Sequence, residues 1–333
     1  MGSRMILLAG VDGGATKTVA VVGRLDGTLL GFARGPASNY HNIGLKNAAQ
    51  SVHASIALAC RRAGARPKDL ETVVMGLAGM DSPKDFRMGR RVADLTCIGK
   101  RRIVKHDSVI ALYAATLGKP GIVVNAGTGS FAAGIDARGR VIRAGGWGNI
   151  IDDEGSAYDI GTLAIRSALR ALDGREEKTL LSRLLVRHFR LRTLQNIVHE
   201  VYEKPMSVNE ISAVSKLVAY AASRGDRVAQ NIFAQEGRAL AKLVSAIARR
   251  LKMTGSKPDV YCVGGVFNAG PILMNPFKQE LRKSIPRFTI RSLRFEPAIG
   301  SFVVGLQEQH VAAQGRVLAN LQTSYARHFG KKH

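Results

Sequence analysis

Val11-Asp12-Gly13-Gly14-Ala15-Thr16-Lys17-Thr18 decides how the rest of the chain is read, because the same object is built again at Asn125-Ala126-Gly127-Thr128-Gly129-Ser130. Around the first, the apolar run from Met5 to Gly10 leads in, Val19 to Val22 leads out, Asp26-Gly27 turns and Thr28 to Ala33 returns. Around the second, Gly121 to Val124 leads in, Phe131 to Ile135 leads out, Asp136 to Arg140 turns and Val141 to Ala144 returns. The pattern, met twice, is strand, Gly/Thr turn, strand, polar turn, strand.

Such a turn has a physical use. Glycines let backbone N–H groups come close to an anion, and neighbouring hydroxyls add donors. Either turn alone reads equally well as an ordinary β-hairpin; two facing turns of this kind can grip a polyphosphate from both sides. Neither fits G-x-x-x-x-G-K-[ST], nor G-x-G-x-x-G between a strand and a helix.

After the first three strands, Gly35 to Asn42 is a loop of turn formers, and Lys46 to Ala63 has apolar residues at helical spacing up to Gly64. Thr72 to Leu77 is a β-branched strand ending in Ala78-Gly79-Met80-Asp81, and Pro83 opens a helix. Arg102 to Lys105 is a strand, His106-Asp107-Ser108 its exit, and Val109 to Leu117 a helix. Gly118-Lys119-Pro120-Gly121 is the linker signal, which puts one domain at 1–118 and a second at 119–311. The second opens with three strands and carries a helical insertion over 156–253, broken at Gly174, Pro205 and Gly225-Asp226, whose last helix is Arg227 to Lys252. It then resumes with the strand Asp259 to Val263, the helix Pro271 to Lys283, the strand Phe288 to Ser292 and the helix Ala298 to His310. A helix over 312–329 completes the N-terminal domain, and Gly330 to His333 is a frayed end. The result is a duplicated α/β chain.

With 333 residues the chain is long enough for two cores. Cys60, Cys97 and Cys262 have no metal or disulfide spacing, which suits a reduced, cytoplasmic protein. No apolar run reaches membrane-spanning length, and the start is interrupted by Asp12 too soon for a signal peptide. The net charge of +24 is spread along the chain, with short clusters at Lys100-Arg101-Arg102 and Lys331-Lys332, and few aromatic residues are interleaved with it. That distribution speaks against nucleic acid and for a field that attracts anionic nucleotides.

The order of motifs, from Gly10 to Gly305, resembles the actin-like superfamily of sugar kinases, hexokinase and Hsp70, and more narrowly the N-acetylglucosamine kinase and BadF/BadG/BcrA/BcrD ATPase family. Its most specific piece is Gly145-Gly146-Trp147-Gly148-Asn149-Ile150-Ile151-Asp152-Asp153-Glu154-Gly155-Ser156-Ala157-Tyr158, similar to the family's G-G-W-G-x-x-x-x-D-E-G-S-A segment. The resemblance implies duplicated actin-like (ribonuclease H-like) domains, ATP with Mg²⁺, and commonly a homodimer. It makes Asp12 the Mg²⁺ residue, through water. Gly13, Gly14, Thr16, Lys17 and Thr18 match the first phosphate loop, Gly127, Thr128 and Gly129 the second, and Gly264, Gly265 and Asn268 the adenosine loop, with Ala222 also at the nucleotide. Asp107 matches the general base facing the sugar hydroxyl, although an Asp before a helix also serves as a cap. Asn39, Gly146, Trp147 and Asp153 match sugar contacts. Lys17 also reads as a solvated turn lysine, Trp147 as packing, and Glu154 as a cap on the helix near Ser156.

Two residues depart from the family pattern. Ala15 stands where many relatives have a third glycine, and Asp152 stands where glycine is common. The activity implied is an ATP-dependent kinase of a hexose or amino sugar, N-acetylglucosamine or glucosamine first, with glucose or mannose also open, acting at O6. Two other readings remain: an ATPase activator of a radical dehydratase, which needs cluster-binding cysteines, and a sugar-responsive regulator, whose mark would be salt-dependent DNA binding.

Overall fold

The computed structural model describes residues 6–203 and 206–329; Met5, the expected break at Pro205, and the expected frayed end from Gly330 to His333 lie outside the described residues. In chain order the first elements are β1 (Leu7–Gly13), β2 (Thr18–Arg24), β3 (Leu29–Gly35), α1 (Tyr40–Ile43), α2 (Leu45–Arg62), β4 (Leu70–Leu77), α3 (Pro83–Thr96), β5 (Arg101–His106) and α4 (Asp107–Thr116). Then come β6 (Gly121–Ala126), β7 (Ser130–Ile135), β8 (Val141–Gly145), α5 (Ala157–Leu172), α6 (Leu180–His188), α7 (Ile197–Tyr202), α8 (Val208–Ala213), α9 (Ser215–Ser223) and α10 (Arg227–Arg250). The chain closes with β9 (Asp259–Val263), α11 (Pro271–Arg282), β10 (Thr289–Ser292), α12 (Pro297–Glu308) and α13 (Gly315–Phe329). Among the described residues no helix is long and apolar enough to cross a membrane.

The chain divides into two compact units. The first holds the described residues up to Pro120, the stretch Ala137–Val141, and the chain from Leu293 onward. Its sheet runs β3-β2-β1-β4-β5, antiparallel from β3 to β1 and parallel from β1 to β5. Successive residues of a strand face opposite sides, so β1 supplies both cores. Ala9 and Val11 pack with Val52, Ile56 and Val92 of α2 and α3, whereas Leu8 packs with Ile299 and Phe302 of α12. Gly10 makes the second packing possible: a Cβ there would lie 2.4 Å from the Phe302 backbone nitrogen.

The second unit, Gly121–Asp136 with Ile142–Ser292, repeats the strand order as β10-β9-β6-β7-β8. Again the outer hairpin is antiparallel and the later strands parallel. Its core joins Ile122 and Val124 of β6 to Val244, Ile247 and Ala248 of α10 and to Ile160 and Ala164 of α5. Breaks occur after α5, where Gly174 has φ +81°, and before α10, where Gly225 has φ +85° and Asp226 accepts from the Ala229 N–H. A break not foreseen follows α6, with Arg190 at φ +53°.

One expected boundary is corrected. Residues 293–311, expected with the second domain, lie with the first unit. The reason is α12, which is apolar around most of its circumference and buries nine residues, Ala298 to Leu306, against β1, β4 and α4. A helix buried all round belongs to whichever core surrounds it.

Candidate active site

In the first unit the candidate residues Asp12 and Asp107 lie at the ends of the parallel strands β1 and β5, where α/β sheets commonly place their sites. β1 ends at Asp12-Gly13, and the 14–17 turn is closed by the Gly14 N–H donating to Lys17 O at 3.0 Å. Neither Gly14 nor Ala15 takes a positive φ, so the turn accommodates the Ala15 Cβ without strain. Thr16 and Lys17 are exposed. Thr18 is fully buried, and its hydroxyl donates to Pro36 O at 2.7 Å beside Ser38 Oγ at 2.8 Å. Its side chain fastens the turn to the following loop, so the hydroxyl is engaged within the protein.

Asp12 is partly buried, and its carboxyl is pushed up to about 7, first by burial, then by the negative charge of Asp107, with Lys17 opposing and Glu296 adding. Among the described residues no group of three or more His, Cys, Asp or Glu side chains could hold a metal ion, so Asp12 would take part in ion binding as a single carboxyl. Asp107 follows β5 as the first residue of α4, with its side chain about a third exposed. The helix is capped by the residue before it: the Ser108 N–H donates to His106 Nδ1 at 3.0 Å. Asp107 is therefore relieved of the capping role that its position suggested. The His106 ring stands between two carboxylates, with Nδ1 2.7 Å from Asp107 Oδ1 and Nε2 3.1 Å from Asp81 Oδ1.

Asn39 caps α1, its Oδ1 accepting from the His41 N–H at 3.0 Å, and His41 Nε2 lies 3.1 Å from Gly79 O at the end of β4. Sequence reasoning missed the companions here. Tyr40 donates to Asp85, which also takes the Ser82 N–H at 2.9 Å, and only the adjacency of His106 to Asp107 hinted at that pair.

In the second unit the Gly127–Gly129 turn is closed by the Gly127 N–H donating to Gly129 O at 3.0 Å, and Gly127 O accepts from the Ala157 N–H at 2.8 Å. Gly127, Thr128, Gly265 and Asn268 line one cavity of about 560 Å³, together with Ser215 and Lys216 of α9. That volume is within the range of ligand pockets. A Cβ at Gly265 would meet open space, so its bare backbone faces the cavity. Gly264 acts differently: with φ +105°, a Cβ there would lie 2.2 Å from Ala126 O, so it lets the chain pass the end of β6. Ala222 is 2% exposed, part of the helical core and outside the cavity lining, a correction to its expected place at the nucleotide. Lys216 was not foreseen, because α9 carries no motif.

The glycine-rich segment after β8 forms a hydrogen-bonded loop. Gly146 takes φ +75°, and Trp147 is 63% exposed with the Arg143 guanidinium 5.1 Å from its ring centroid. Exposure removes the reading of Trp147 as packing. Asp152 accepts from the Trp147 N–H at 3.1 Å, so the extra carboxylate serves the loop itself. Asp153, at φ +66° and 8% exposed, accepts from the Ser130 N–H at 3.4 Å, while Ser130 Oγ donates to Glu154 O at 2.6 Å. The cap of α5 is Ser156, whose Oγ accepts from the Asp159 N–H at 3.1 Å; Glu154 has no part in it.

Comparison with known proteins agrees with this arrangement. The model of the BadF/BadG/BcrA/BcrD ATPase family matches residues 9–305. An N-acetylmuramic acid/N-acetylglucosamine kinase of Clostridium acetobutylicum is 31% identical over 306 residues, 91% of this chain and 99% of the relative. An N-acetyl-D-glucosamine kinase of Dictyostelium discoideum is 27% identical over 315 residues, 91% of this chain and 98% of the relative. Among solved structures, one from Chromobacterium violaceum, provisionally assigned as an N-acetylglucosamine kinase, superposes with a TM-score of 0.72 at 27% identity, covering 92% of this chain and all of that one. A ROK family glucokinase from Streptomyces griseus shares the fold at 18% identity, with a TM-score of 0.52 over 92% of this chain and all of that one. The chain belongs to the BadF/BadG/BcrA/BcrD ATPase family and has its duplicated actin-like fold.

Proposed function

We propose that the protein is an ATP-dependent kinase of an amino sugar, with N-acetylglucosamine or N-acetylmuramic acid the first candidates, glucosamine next, and glucose or mannose as weaker acceptors. The observation that carries this reading is Asp107, which projects from the end of β5 at the start of α4 with one carboxylate oxygen held 2.7 Å from His106 Nδ1. A carboxylate at a strand end that stays open to solvent is suited to accept a proton from a bound hydroxyl. The relatives' printed substrates supply the sugar class.

In the reaction, Asp107 takes the proton of the sugar hydroxyl, O6 in our reading, as that oxygen bonds to the γ-phosphorus of ATP and the bond to the β-phosphate oxygen breaks. ADP leaves with the electron pair. Asp12 would hold Mg²⁺ through water; the ion supplies charge neutralisation on the phosphates. Positioning by backbone donors dominates phosphoryl transfer, and the 14–17 and Gly127–Gly129 turns supply such donors. The cavity lined by Gly265, Asn268 and Lys216 takes the nucleoside end of ATP. Asn39, Gly146, Trp147 and Asp153 contact the sugar. A cytoplasmic place of work follows from the use of ATP, and a homodimer would show as a doubled mass in light scattering.

The test is coupled ADP release from Mg-ATP with N-acetylglucosamine, N-acetylmuramic acid, glucosamine, glucose, mannose or no sugar. Strong dependence on one sugar, with NMR of the product locating the phosphate, is the expected result. Slow release that ignores every sugar would overturn the kinase reading and turn attention to an ATPase activator or regulator.

A further inference from the structure

Behind the sugar-facing loop lies a pair of carboxyl groups that the mechanism above does not use. Glu236, in the middle of α10, is 1% exposed. Its Oε2 accepts from the Gly155 N–H at 2.5 Å, and its Oε1 has no hydrogen-bond partner among the described residues. Asp159, in the first turn of α5, stands beside it; burial raises both carboxyls, and Glu236, with the Asp159 charge adding, is pushed up to about 8. The other charged groups acting here are Glu154 on the turn, which opposes ionisation of Glu236, and Arg166 along α5, which favours ionisation of Asp159. Two neighbouring carboxyl groups, one of them buried, titrate as a pair and retain a proton into the neutral range.

Gly155 is pinned to α10 twice. Besides the bond to Glu236, it has φ +85°, and a Cβ there would lie 2.4 Å from Leu240 Cγ, one turn along the same helix. On its other side the turn carries the second glycine loop, through the Ser130 Oγ bond to Glu154 O and the Ala157 N–H bond to Gly127 O. Asp153 sits in the left-handed region, which a non-glycine residue holds only when its surroundings over-determine it. Glu236 is the buried anchor of that constraint.

We propose that Glu236 is a positioning residue, which through the Gly155 N–H and with Asp159 beside it holds the Asp153–Ser156 turn in the conformation that sugar binding uses. The sugar role of Asp153 rests on the kinase reading. Glu236→Gln keeps an oxygen for Gly155 and gives an amide N–H to Asp159, whereas Glu236→Leu fills the space and accepts nothing.

The experiment is steady-state kinetics of the full chain against pH, with amide exchange over residues 153–157, which needs no sugar. Glu236→Leu is expected to raise the sugar KM about tenfold or more and to speed exchange at 153–157. Glu236→Gln is expected to keep the sugar KM within about twofold at pH 7 and to lose the alkaline fall in kcat/KM that follows loss of the pair's proton in the unaltered chain. An unchanged sugar KM or unchanged exchange in Glu236→Leu overturns the proposal. If that variant does not fold, a raised sugar KM or an unaltered alkaline limb in Glu236→Gln overturns it. Failure of the unaltered chain to phosphorylate any sugar sinks the kinase reading instead, and the exchange result still decides whether Glu236 holds the turn.

Discussion

At the scale of single residues, Asp107 and Asp12 have opposite tasks, and their surroundings separate them. Asp107 is open and lies beside His106, while Asp12 is recessed, its carboxyl pushed up to about 7. Asp107→Asn removes the proton acceptor and keeps the shape. Turnover should fall ~10²–10⁴-fold while binding of an ATP analogue stays within about twofold. Normal turnover would remove Asp107 from the mechanism. For Asp12 the consequence is a stability slope in metal-free protein. The folded chain holds a proton that the unfolded chain releases near pH 3.8, so between about 4 and 7 folding binds protons and stability falls as pH rises. Asp12→Asn should abolish that part of the slope, gaining on the order of 1–2 kcal/mol at pH 7.5 relative to pH 4.5 after allowance for partial exposure. Urea titrations in EDTA at the two pH values measure it, and parallel behaviour of the two proteins would mean that Asp12 is ionised throughout. Asp12 and Asp107 were legible in the sequence because a motif fixes each at a strand end. His106, Lys216 and Glu236 were not, since their partners come from distant segments and no spacing announces them.

Elements were legible where a period and a stop coincide. The glycine turns and the linker after Leu117 placed β1 to β7 to within two or three residues, and α10 needed only its amphipathic face and the Gly225-Asp226 break before it. What could not be read was allegiance. α12 follows β10 in sequence yet joins the first unit, because its burial depends on small residues meeting backbone on other elements. Gly300 shows the tolerance. A Cβ there would lie 1.8 Å from Ile110 O and 2.7 Å from the Ala114 nitrogen, both backbone atoms of α4. Gly300→Ala therefore forces α12 away from α4 and should destabilise the chain by about 1–3 kcal/mol. Gly305, five residues on, is the control. Its nearest contact would be Val74 Cγ2 at 3.6 Å, an ordinary distance, so Gly305→Ala should be neutral or add up to ~1 kcal/mol from helix propensity. Equal effects of the two substitutions, by denaturant melts, would mean that helix propensity and not close packing governs α12.

For the whole molecule, the duplicated strand order was visible in the repeated turn, whereas the net charge of +24 has no counterpart in any motif. Its physical effect is a field, and fields are tested with salt. Exposed charges act over a Debye length of about 10 Å at 0.1 M ionic strength and about 3 Å at 1 M. A positive surface raises encounter rates with anions by ~10–10³-fold at low salt. Accordingly kcat/KM for Mg-ATP should fall several-fold between ~0.05 and ~0.5 M potassium chloride, while kcat/KM for the neutral N-acetylglucosamine, at saturating nucleotide, stays nearly constant. N-acetylmuramic acid carries a carboxylate and should behave as the nucleotide does. The two sugars thus form an internal comparison, alike in ring and differing in charge, so a change in the ratio of their kcat/KM values reports steering and cancels any general effect of salt on the fold. If the ratio and the nucleotide dependence are both flat, the basic residues form a solvated surface without a part in substrate capture, and a salt-dependent shift of duplex DNA becomes the next measurement to explain them.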